Sequence, residues 1–221
     1  QPMGQPVQPH AQNYTTCFLQ DGDAFVLRTE FLMQILEGIH KYLPNIKHVT
    51  TYARADSIAR KSVSELRELK TAGIEHLYCG METGSDLILR KINKGFDAAT
   101  IIISGTKAKE AGMVLSEFTL FGIGGKELAE ENAVETAKVL NVIKPDFVRV
   151  HATGIKLSSE MWNYVKNKEL TLQSEEEIVS EQKIMLELLA DDMDCIYMNE
   201  HIVNLLLEVR GNIRTDKQNM L

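Results

Sequence analysis

A glutamate between two glycines ends one apolar run of this chain: "LYCGMETGSD", residues 77–86. A carboxylate there can accept hydrogen bonds from ligand hydroxyls, while Gly80 and Gly84 allow close backbone approach. Comparable segments recur. "LQDGDAF" supplies Gln20, Asp21, Gly22 and Asp23, and "LFGIGGKE" supplies Gly122, Ile123 and Gly124. "TTYARADS" carries Tyr52 and Arg54, "VRVHATG" carries Arg149 and His151, and "YMNEH" carries Asn199 and His201. Together they describe a polar, glycine-lined rim suited to a nucleoside-sized ligand. Plainer readings stand beside it. Glu82 can offset the positive end of a helix beginning near Ser85. Gly122 and Gly124 can shape a loop, Asp21 and Asp23 can form turns, and Arg149, His151 and His201 can be satisfied structural residues.

Several chemistries are excluded by spacing. "FGIGGKE" has Gly125 too early for G-x-G-x-x-G, and no acid follows at the expected distance. P-loop, nucleophile-elbow and zincin patterns do not occur. Cys17, Cys79 and Cys195 are widely separated, each inside an apolar run, so they read as small buried hydrophobes rather than ligands.

The elements that must carry this rim alternate regularly. "TTCFLQ", "HVTTYA", "IEHLYCGM", "VLSEFTLFGI", "DFVRVHA" and "CIYMN" read as strands. Between them, "RTEFLMQILEGIHKYL" has helical spacing, with Thr29 as the expected N-cap and Pro44 as the stop. "KSVSELRELKTAG", "SDLILRKIN", "AATIIISGTKAKEAG", "KELAEENAVETAKVLNVI" and "SEEEIVSEQKIMLELLADD" continue the helical pattern. Six strands alternating with helices predict a parallel α/β sheet with right-handed crossovers. With 221 residues, below the ~250 of a closed eight-unit barrel, an open sheet or a partial barrel is expected. Both architectures bind ligands at the carboxyl ends of the strands. The expected organisation is an irregular lead-in over 1–14, one α/β body over 15–208 and a polar tail over 209–221.

Charge narrows the partners. With 24 basic and 31 acidic residues the net charge is −7, which argues against binding nucleic acid through its phosphates. No apolar stretch approaches the ~20 residues of a membrane span. The start has no signal-peptide character. A soluble, cytoplasmic protein is expected.

The order "LQDGDAF … TTYARADSI … GMETGSDLILRKINKG … LFGIGGKELAEENAVETAKVL … PDFVRVHATG" resembles the radical S-adenosylmethionine superfamily, in the branch of coproporphyrinogen oxidase-like and elongator-type proteins. The resemblance implies a partial (βα) barrel of parallel strands whose first βα unit is missing here. It implies S-adenosylmethionine across the strand ends. Gln20, Asp21, Gly22 and Asp23 stand where the family has Gly-Gly-Glu, Glu82 matches the acid that contacts the ribose, and Gly122, Ile123 and Gly124 match the strand end beside adenine. Arg149 and His151 fall on a strand that often faces substrate, and Asn199, His201 and Asn204 resemble a Ser-Asn-His-x-x-Asn-like segment of the branch.

The family's Cys-x3-Cys-x2-Cys loop, which holds three irons of a [4Fe–4S] cluster, does not occur in this sequence. Two readings stay open: a fragment lacking the upstream unit, or a clusterless S-adenosylmethionine-binding barrel. For the intact enzyme the resemblance implies a 5′-deoxyadenosyl radical acting on a small-molecule substrate, with an electron donor such as flavodoxin or ferredoxin.

Overall fold

A computed structural model describes residues 13–221; the expected lead-in therefore lies almost wholly outside the described residues. Six parallel strands, β1 (Thr16–Leu19), β2 (His48–Ala53), β3 (Ile74–Glu82), β4 (Val114–Phe121), β5 (Phe147–Ala152) and β6 (Ile196–Met198), line up in chain order. A two-residue strand, β7 (Gly211–Asn212), pairs antiparallel with β6. The first and last strands do not pair, so the sheet is an unclosed partial barrel, as expected.

Helices α1 (Thr29–Tyr42), α2 (Ala55–Ala59), α3 (Val63–Thr71), α4 (Asp86–Lys91), α5 (Ala98–Glu110), α6 (Ala129–Ile143), α7 (Met161–Lys166), α8 (Glu175–Leu188) and α9 (Ile213–Met220) complete the chain. Their ends follow local chemistry. Ser62 with Glu65 and Ser174 with Glu177 form capping boxes for α3 and α8, and Asp97 caps α5. Thr29 is not the N-cap of α1: Arg28 takes that position, and the Thr29 hydroxyl donates to Glu65 Oε1 at 2.8 Å, tying α1 to α3. Residues 209–221, read as a polar tail, include β7 and α9, with Ile213 buried in the core.

Strand alternation sorts side chains onto two faces. Leu77, Cys79, Leu115, Val148 and Val150 face the helices and meet Leu66, Leu69, Leu140, Met185 and Leu186 in one core. Cys79 and Cys195 are buried as expected, whereas Cys17 is half-buried. The other face carries Phe18, Tyr52, His76, Tyr78, Phe118 and Phe147, linked by ring contacts of 4.2–6.2 Å. An apolar, half-open concave surface thus lies on one side of the sheet and a dry core on the other.

Candidate ligand site at the strand ends

The carboxyl ends of five strands surround a cavity of ≈ 480 Å³. Gly22 enters from the turn after β1, Tyr52 to Arg54 from the end of β2, and Tyr78, Gly80 and Glu82 from β3. Phe118 comes from β4, His151 from β5, and Lys94 from the turn following α4.

Glu82 is built into position. The register of β3 against β4 shifts between Gly80 and Glu82, a bulge that turns the strand end. Glu82 itself has φ 64, a left-handed conformation costly for a side-chain-bearing residue and typical of functional sites. The bend keeps its carboxylate on the side of Tyr78 and Gly80. There Lys94 Nζ donates to Glu82 Oε1 at 2.7 Å, with both side chains largely buried. A Cβ on Gly80 would lie 2.4 Å from Glu82 Oε1, so any side chain at 80 would displace the carboxylate from this position. The N-terminus of α4 is capped by Ser85, which accepts from Ile88 N.

The turn after β1 divides its labour. Gly22 lines the cavity, while Gln20 and Asp21 are exposed and outside its lining. The Asp23 carboxylate accepts from Arg54 N at 3.1 Å and Ser57 Oγ at 2.5 Å, fastening the turn to the start of α2. Arg54 in turn donates from Nη2 to the Lys94 carbonyl at 2.7 Å and from Nε to Asp56 at 3.0 Å. Asp23, Arg54 and Lys94 form one chain of contacts that holds the rim.

Gly122, Ile123 and Gly124 are not brought to the cavity lining; all three are buried. Gly122 N–H donates to Glu181 Oε2 at 2.9 Å, and a Cβ on Gly124 would meet Ile88 and Leu128 at 2.9 Å. Glu181 also accepts from Asn132 at 2.6 Å and Gln173 at 2.8 Å. Burial raises the Glu181 carboxyl above its ordinary range, opposed by these three hydrogen bonds.

His151 lines the cavity and packs on Phe118, with ring centroids 5.2 Å apart, and on His201 at 4.2 Å. Burial, reinforced by His201, lowers its affinity for a proton. His201 is placed there by its neighbours. Asn204 accepts from Ala152 N at 2.8 Å and donates to the Val150 carbonyl at 2.6 Å, so its side-chain amide imitates an adjoining strand. Asn199 donates to the carbonyls of Leu205 and Leu206 at 2.8 Å, closing the same loop. Arg149 lies deeper, two residues below His151 on the same face of β5, with its guanidinium 5.2 Å from the Tyr78 ring.

Sequence reasoning missed Lys94, Tyr78 and Phe118 as site residues. Tyr78 was recoverable: Tyr78, Gly80 and Glu82 sit at i, i+2 and i+4 of one strand. Lys94 had no such signal beyond its place in the "KINKG" turn.

Comparisons agree with the architecture. No family model matches the chain. The heme chaperone HemW of Bacillus subtilis (strain 168) is 24% identical over 173 residues, covering 77% of this chain and 45% of that protein. Among solved structures, the archaeal Methanocaldococcus infernus Elp3 with an N-terminal deletion matches with a TM-score of 0.62 at 15% identity, over 80% of this chain and 45% of that one. Coproporphyrinogen III oxidase (HemN) from Escherichia coli, a radical SAM enzyme, matches with a TM-score of 0.61 at 14% identity, over 78% and 40%. The chain spans less than half the length of each. Among the described residues no helix is long and apolar enough to cross a membrane.

Proposed function

For a chain with the partial-barrel fold of the radical S-adenosylmethionine superfamily, we propose that the strand-end cavity binds S-adenosylmethionine, with Glu82 accepting hydrogen bonds from the ribose hydroxyls. The observation that carries this reading is the Glu82 carboxylate itself, held on a left-handed backbone inside the cavity and braced by Lys94. The residues present fit the ligand. A cavity of ≈ 480 Å³ is within the usual range for a small-molecule site. Tyr52, Tyr78 and Phe118 offer flat apolar walls to a nucleoside, and Gly22 leaves backbone open to it.

S-adenosylmethionine supplies an activated sulfonium whose reductive cleavage starts the chemistry of this enzyme class. The chain's own residues bind and orient. Lys94 keeps Glu82 aimed into the cavity, and the packed rings narrow the access of water. His151, made less basic by burial, presents a neutral imidazole at neutral pH. The small-molecule substrate would meet the concave face below the cofactor, and flavodoxin or ferredoxin would be the class of electron donor.

The cysteines do not fit a [4Fe–4S] cluster. Cys17 lies on β1, Cys79 on β3 and Cys195 just before β6 rather than in one loop, and no cluster of metal-ligating side chains occurs among the described residues. Burial pushes the Cys79 thiol well above its ordinary range and Cys195 up to about 12, opposite to what thiolate ligation needs.

Calorimetric titration of S-adenosylmethionine into wild type and Glu82→Gln tests the reading. Saturable binding to wild type, weakened ~10- to 100-fold in the variant, is expected from loss of a charged acceptor. Equal affinity in the two proteins would contradict it.

A further inference from the structure

The concave face holds a second polar group beneath the cavity. Ser116 on β4 lies beside Tyr78 on β3 and Phe147 on β5, and Arg149 pairs in register with Phe118. His76 Nε2 and Ser116 Oγ are 2.8 Å apart, and Arg149 Nε donates to the same hydroxyl at 3.4 Å. The Arg149 guanidinium rests over the Tyr78 and Phe147 rings, 5.2 and 5.7 Å from their centroids.

Arg149 differs from every other arginine of the chain. Arg54, Arg60, Arg67, Arg210 and Arg214 each pair with a carboxylate, and Arg28 and Arg90 are exposed. Among the arginines, Arg149 alone is both half-buried and without a carboxylate partner among the described residues. Residues 1–12 contain no Asp or Glu, so the chain holds no further acid to pair with it. Its two terminal nitrogens make no hydrogen bond among the described residues. A guanidinium presents a rigid fork that matches planar oxyanions, and partial burial strengthens that attraction. In a protein of net charge −7, leaving a half-buried cation unpaired on an aromatic floor runs against the overall balance.

We propose that Arg149, with Ser116 and His76 beside it, forms an anion subsite on the concave face that selects a substrate carrying a carboxylate or phosphate next to a flat apolar body. Arg149 grips the oxyanion, and Tyr78 and Phe118 meet the flat body where the subsite joins the cavity. His76 is kept neutral by burial and by the nearby guanidinium, so Ser116 Oγ–H can donate to its Nε2 while accepting from Arg149. That arrangement turns the fork without consuming its terminal donors. The role assigned to the bound molecule as substrate rests on the cofactor reading above; the anion site itself does not.

The test follows the Arg149 Nε–H and His76 ring resonances of the full chain by NMR during titration with benzoate, phenyl phosphate and neutral benzamide. Saturable shifts with benzoate or phenyl phosphate and none with benzamide are expected, and the stronger anion identifies the headgroup. Affinity should fall ~10-fold or more in Arg149→Gln and less in Arg149→Lys, with S-adenosylmethionine binding unchanged in both. Circular dichroism verifies folding, and Arg149→Lys carries the comparison if the glutamine variant does not fold. No saturable shift with either anion, or equal affinity in wild type and the variants, would overturn the subsite. Loss of S-adenosylmethionine binding in a folded Arg149 variant would overturn it too, by moving this residue to the cofactor. Anion binding that persists in a wild type unable to bind S-adenosylmethionine would leave the subsite standing and sink the cofactor reading alone.

Discussion

Two strand ends of this protein look alike as text and differ as structure. "GMETGS" closes β3 and "FGIGG" follows β4, and both offer a glycine-rich turn beside a buried sheet. The first opens onto the cavity with a carboxylate, whereas the second is packed shut against α8 by Glu181. The difference lies in who satisfies the backbone. At Gly122 a buried side chain from the same chain takes the free N–H, so the loop is complete without a ligand. At Glu82 only Lys94, among the described residues, meets the carboxylate, leaving acceptor capacity for hydroxyls.

The largest effect should come from the closed end. Glu181→Ala removes the acceptor for Gly122, Asn132 and Gln173 together, and a loss of ~3–5 kcal/mol in stability is expected by urea denaturation. Ligand affinity per folded molecule should hardly change. A strong loss of affinity instead would show that the two ends are not different in kind.

Glu117, on β4 between them, sharpens the contrast between carboxylates. It is fully buried, and neither oxygen has a hydrogen-bond partner among the described residues. The Cys79 thiol, its register partner, faces it without a bond of normal geometry. Burial raises its pKa to about 8, above the ordinary carboxylate value. The folded state therefore holds a proton that the unfolded chain releases near pH 4.5, and stability contributed by this group falls as pH rises from there to about 8. Wild type should lose ~1.4 kcal/mol per pH unit relative to Glu117→Gln across that window, and no more above it. Denaturation midpoints of both proteins at pH 6 and pH 9 check this; parallel profiles would disprove the burial account.

At the open end, Gly80→Ala should push a methyl into the Glu82 carboxylate and weaken S-adenosylmethionine binding ~10-fold, with a smaller change in stability. Gly122→Ala serves as the counterpart: its left-handed φ of 82 costs stability, while binding should persist. The smallest effect is expected from Asn204→Ala, roughly 1 kcal/mol, as the strand-like contacts to β5 are lost. His201 should then separate from His151, read as a rise in the His151 pKa by NMR titration.

Much of the fold was legible because its signals are local. Alternation in "IEHLYCGM" and helical spacing in "FLMQILEGIHKYL" are properties of single segments, and they gave the six parallel strands and the principal helices. Short elements escaped because two to six residues carry too little periodicity: α2, α7 and β7 depend on neighbours for stability. The site divided in the same way. Glu82 announced itself through its glycines, but its partner Lys94 lies 12 residues on, past a helix. The closing of the Gly122 loop depended on Glu181, 59 residues away, which reads in sequence as one more acid on a solvated helix face. Its burial is a tertiary fact.

The most direct test is a crystal structure of the chain grown with S-adenosylmethionine. The account predicts adenosyl density in the cavity between Gly22 and His151, with ribose oxygens within hydrogen-bonding distance of Glu82. Ligand ordered elsewhere on the protein at full occupancy, with the cavity holding only water and the Glu82–Lys94 pair undisturbed, would contradict it.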